Sequence, residues 1–82
     1  EDLNVFIHRV TSSYNRIVEQ FKGQHVLVVA HAGVIRAILA HIVFSPPKGI
    51  YNFKIKNAGI SRIHAETNQI EFINNEFNSL IL

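Results

Sequence analysis

The chain has no cysteine. A disulfide framework and a thiolate metal site are therefore both excluded, and with them the usual staples of a small secreted domain. That absence fits a cytoplasmic protein. No long hydrophobic run is present either. The longest strongly apolar stretch, residues 26–30, falls far short of the roughly 20 residues a spanning helix needs. No basic segment leads into an apolar one at the start, so no secretory leader is read. Charge is sparse, at 17% of residues, with eight Lys and Arg against six Asp and Glu. No cluster of Lys or Arg is dense enough to follow a phosphate backbone. Neither nucleic acid nor a membrane is expected as a partner.

What remains is 82 residues, 48% of them apolar, which is no disordered tail. This length makes one domain at most, or part of one. A chain of this size buries only about 60–65% of its unfolded surface, so its stability on its own would be marginal. It opens on Glu1-Asp2 rather than Met, already inside a helical pattern. We therefore expect a carboxy-terminal portion of a longer domain, with 1–82 as the whole of that portion.

Leu3, Phe6, Val10, Tyr14, Ile17 and Phe21 recur at steps of three and four, the stripe of an amphipathic helix over about residues 2–22. Gly23 is a plausible stop. Residues 25–30, His-Val-Leu-Val-Val-Ala, are continuous rather than alternating. That predicts a strand covered on both faces, as in a parallel sheet. Val34, Ile35, Ile38, Leu39 and Ile42 predict a second helix, ended by Pro46-Pro47. Tyr51, Phe53 and Ile55 alternate with polar residues and predict a half-buried strand. Asn57-Ala58-Gly59 reads as a turn or bulge, and residues 60–66 and 69–73 flank Thr67-Asn68 as a hairpin. The last stretch, from Asn74 on, has no clear period. The fold class is α/β with an incomplete sheet, because a continuous apolar strand needs neighbours on both edges and too few parallel candidates exist here. Self-association, or pairing with a preceding half, would supply them.

The informative window is the junction at His31-Ala32-Gly33. A buried-type strand ends, a His follows at its carboxyl end, and small residues open a helix. Open α/β sheets bind ligands at that end of their strands, and the free N–H groups of a helix start favour an anion. Ala32 and Gly33 let backbone approach a ligand, and a cationic His31 adds charge-assisted hydrogen bonds to phosphate oxygens.

These residues resemble the histidine phosphatase superfamily, the phosphoglycerate mutase-like proteins, in its later half. His31-Ala32-Gly33-Val34-Ile35-Arg36 is similar to the family's segment carrying the second active-site histidine. Glu1, Phe6, Arg9 and Val10 resemble its Gly-Glu-Ser…Phe-x-x-Arg-Val helix start, with Asp2 where Ser is usual. Asn57-Ala58-Gly59-Ile60-Ser61 is similar to a late-strand segment, and Leu80 falls where the family often closes. The wording of the His31 window looks most like the bacterial phosphatase branch that includes α-ribazole phosphatases.

The resemblance implies a three-layer α/β/α sandwich and hydrolysis of small-molecule phosphate monoesters through a phosphohistidine, with no cofactor and no metal. It implies that His31 is catalytic and that His31, Ala32 and Gly33 bind phosphate. The family's Arg-His-Gly nucleophile motif is absent from all 82 residues. His8-Arg9 has the reverse order and lies mid-helix. The chain alone is therefore expected to be inactive, while its parent is an enzyme. Two alternatives stand beside this. One is a non-catalytic anion-binding or interaction module, and the other is a mutase-type phosphoryl transferase.

Other polar residues have simpler readings. Arg36 and Arg9 are expected to make structural contacts. Lys54, Lys56 and Arg62 are expected on a solvated sheet face. His8, His25, His31, His41 and His64 include no pair at the four-residue spacing of a helical zinc site. His25 and His31 would lie roughly 20 Å apart along an extended strand, too far to share a metal. The aromatic residues fall mostly on apolar periodicities and read as core.

Overall fold

A computed structural model describes residues 2–56 and 59–76. Its elements in chain order are α1 (Leu3–Gln20), α2 (Ala32–Ile42), the 3-10 helix η1 (Pro47–Asn52), β1 (Gly59–His64) and β2 (Gln69–Glu76). Helices and a small, incomplete sheet are thus combined in one chain, as expected for the α/β class. The strands form a two-stranded antiparallel sheet.

The start of α1 is set by Asp2, whose carboxylate accepts the Val5 N–H at 2.9 Å. That satisfies one donor the first turn would otherwise leave open. The helix ends at Gln20, before Gly23, which lies in the next turn at φ +79. There the Gln24 N–H donates to the Phe21 carbonyl at 3.0 Å. Only glycine takes that backbone without strain.

The apolar stripe of α1 packs on α2. Val10, Ala37, Ala40 and Ile50 form the buried cluster, with Leu3, Phe6, Ile7, Val34, Ile38 and Phe53 packed against it. Small side chains at 37 and 40 let the helices approach closely. Leu39, also on α2, is fully buried.

α2 closes in a pattern specific enough to read bond by bond. The Ser45 N–H donates to the Ala40 carbonyl and the Phe44 N–H to the His41 carbonyl. This pair of bonds is a Schellman motif, which places Phe44 at the position that glycine usually fills. Phe44 adopts φ +58 and is 84% exposed.

Two expectations are corrected. Residues 25–30 form no strand, and no described residue pairs with them. Leu27 and Val29 are 81% and 88% exposed, and Val26 and Val28 about half that. The composition suits a sheet interior, but the described residues provide neither the neighbouring strands nor an outer layer. The strand expected around Tyr51 does not form: Tyr51 and Asn52 are the last two residues of η1, and residues 53–56 belong to no element. Pro47, at the first helical position, has the fixed φ that suits a helix start. Ile50, not Tyr51, turns into the core there. Beyond it, Phe53 and Ile55 are half-buried and Lys54 and Lys56 exposed, so the alternation holds for those four residues without a ladder.

The hairpin matches its expected position. His64 pairs with Gln69 next to the turn, where Asn68 takes φ +57. The Arg62–Glu71 pair, 3.2 Å apart, and His64 Nε2, 3.5 Å from Glu71, decorate its exposed face. Register slips on either side of Arg62 mark bulges. Asn74, at φ +63, lies in the bulged stretch of β2. Its side-chain amide donates to the Lys54 carbonyl, and its oxygen accepts the Lys56 N–H at 3.1 Å. One side chain thus does for segment 54–56 what a neighbouring strand would do. Glu1, Asn57, Ala58 and Leu80, which carry part of the resemblance, lie outside the described residues.

Candidate functional site

His31 is the N-cap of α2, with φ −68 and ψ 156. Its carbonyl accepts the Val34 N–H at 3.0 Å and the Ile35 N–H at 3.2 Å, which starts the helix. Its imidazole makes no capping bond and is exposed. The N–H groups of Ala32 and Gly33 have no acceptor among the described residues. An exposed imidazole therefore sits beside two N–H groups with no acceptor among the described residues, at the positive end of a helix dipole, and such a place suits an anion.

Gly33 has a second, purely structural neighbour. A Cβ built on it would meet the Phe6 ring at 3.8 Å, an ordinary contact. The space on that side thus belongs to α1 packing rather than to a ligand.

The remaining candidates do not gather around His31. The Arg36 Nε donates to the Phe53 carbonyl at 2.9 Å, tying α2 to the segment after η1. The Arg9 guanidinium lies 5.5 Å from the centre of the Phe6 ring, within cation–π range. Arg62 faces Glu71. His41 meets Tyr14 edge-on, ring centres 6.1 Å apart. Among the described residues no three His, Asp or Glu side chains sit together as a metal site.

A cleft of about 120 Å³ opens between α1, α2 and Val28, with Arg9, Ser13, Tyr14 and Ile38 on its walls. His31 does not line it. The Tyr14 hydroxyl is buried with no hydrogen-bond partner among the described residues, and desolvation raises its pKa above the ordinary 10.0. Sequence reasoning missed this, because Tyr14 sits on the apolar stripe and spacing says nothing about its oxygen. It also missed Asn74, because the expected strand stopped at residue 73 while β2 runs on to Glu76; the one available signal was an Asn, tolerant of positive φ.

The family model of the histidine phosphatase superfamily (branch 1) matches residues 1–76. The chain belongs to that superfamily. No curated protein and no solved structure matched it.

Proposed function

We propose that this chain is the carboxy-terminal portion of a phosphatase that hydrolyses small-molecule phosphate monoesters through a phosphohistidine. The observation that carries this reading is His31 at the head of α2, its ring exposed beside the unsatisfied Ala32 and Gly33 N–H groups, in a chain of a phosphoryl-transfer family.

The chemistry divides between two parts of the parent. A nucleophilic histidine outside these 82 residues attacks phosphorus. The ester oxygen leaves with a proton from an acid that is also outside, and water then cleaves the P–N bond to release phosphate. Charge spreads over the non-bridging oxygens during both steps. The His31 ring N–H donates to one of them, and the amides of Ala32 and Gly33 add fixed dipoles. Because the Arg-His-Gly motif is absent, the 82-residue chain alone has no nucleophile and is inactive.

The test is turnover of a simple aryl phosphate by the intact gene product. Removing one such donor costs roughly 10²–10³ in kcat, so His31→Ala should lose that much while circular dichroism stays unchanged. Full activity in His31→Ala would overturn the assignment. An intact gene product without an Arg-His-Gly motif would favour a non-catalytic anion-binding module instead.

A further inference from the structure

From residue 20 to residue 65 there is no Asp or Glu, while six of the eight Lys and Arg residues fall in that stretch. Two of those six have partners within the chain, Arg36 the part-buried Phe53 carbonyl and Arg62 the exposed Glu71 carboxylate. Lys48 and Lys54 are exposed, on η1 and just beyond it. The same corner displays apolar surface: Val43 is 48%, Phe44 84% and Tyr51 73% exposed. Phe44 is held there by the two Schellman bonds in a backbone conformation that residues with a Cβ avoid. Glycine would suit the motif better, so folding alone does not account for an exposed phenyl ring at this position.

We propose that the corner between α2 and η1, residues 43–54, docks on an anionic bilayer surface. Aromatic side chains enter the headgroup region while the lysines of the same segment meet acidic lipid headgroups. The segment itself contributes no carboxylate to repel such a surface. A second copy of the chain is disfavoured, because it would set Lys48 and Lys54 against their own kind. A folded acidic partner would have to offer pockets to rings that project this far, whereas lipid headgroups rearrange around them. No helix among the described residues is long and apolar enough to cross a membrane, so the contact is peripheral. It departs from the expectation, drawn from composition, of no membrane partner, since composition reports spanning segments and not corners.

The experiment is co-sedimentation of the intact gene product with vesicles of phosphatidylcholine alone or mixed with phosphatidylserine. Binding is expected on the mixed vesicles at low salt, and it should disappear at high salt. Lys48→Glu should weaken it roughly fivefold or more, and Phe44→Gly about tenfold, with helical content unchanged in both. Val29→Lys, on the other exposed apolar segment, should leave it unaltered. The proposal is overturned by equal binding to neutral vesicles, by no binding at all, or by loss through Val29→Lys with Phe44→Gly still bound. Retention on a polyglutamate column without vesicle binding would also overturn it, pointing to an acidic protein.

Discussion

Replacing Phe44 should invert the usual order of glycine and alanine. At a position with negative φ, glycine is the worse residue by about 0.5–1 kcal/mol, because it has more backbone freedom to lose on folding. At Phe44 the backbone sits at φ +58, where a Cβ costs roughly 1–2 kcal/mol. Phe44→Ala and Phe44→Gly discard nearly the same few side-chain contacts, since the residue is 84% exposed. The difference between them is therefore the relief of strain less the entropy of glycine, about 1 kcal/mol in favour of glycine. For a chain of this size that corresponds to about 4–8 °C in Tm. Urea unfolding of both variants, compared at a common m-value, measures it. If alanine proves as stable as glycine or more so, then Phe44 is not held in a left-handed cap and the Schellman reading of the end of α2 fails.

Three further outcomes follow from single side chains. Tyr14 holds its proton more tightly folded than unfolded, since burial raises its pKa; stability should therefore be full below about pH 10 and fall as pH climbs through the folded value. Tyr14→Phe should remove that fall in an alkaline urea series and, by deleting a buried hydroxyl with no partner, be neutral or stabilising by about 1 kcal/mol. Asn74→Gly keeps access to φ +63 but loses both clamp bonds, at a cost of about 1–3 kcal/mol; hydrogen exchange should show faster exchange at the Lys56 amide. Leu39→Ala empties a fully buried site and should cost about 2–5 kcal/mol, visible as loss of cooperative thermal unfolding.

Which elements could be read from sequence follows from the range of the forces that shape them. Helix α1, helix α2 and the hairpin rest on local periods and local caps, and each was legible to within a few residues. The Val26–Val29 ribbon has the composition of a sheet interior, yet a strand exists only when another backbone lies beside it, and no local pattern supplies one. At Tyr51 a short alternation competed with the helical turn begun by Pro47, and the proline prevailed. The site was legible in part. The position of His31 at a helix start follows from the small residues after it, and family membership follows from the same window. The acceptor of Arg36, a carbonyl 17 residues further along, has no spacing signature. The Asn74 clamp joins residues 18 and 20 apart and is equally invisible to a local reading.

The bare ribbon at residues 26–29 also bears on how the chain behaves in bulk. Four consecutive apolar residues, with no charge among them and backbone edges that no described residue pairs, make a template for fibril-like stacking. Concentrated preparations should thicken and precipitate from this point before the helices melt. A gatekeeper lysine at Val29, whose side chain is 88% exposed, is the least disruptive way to keep the chain in solution.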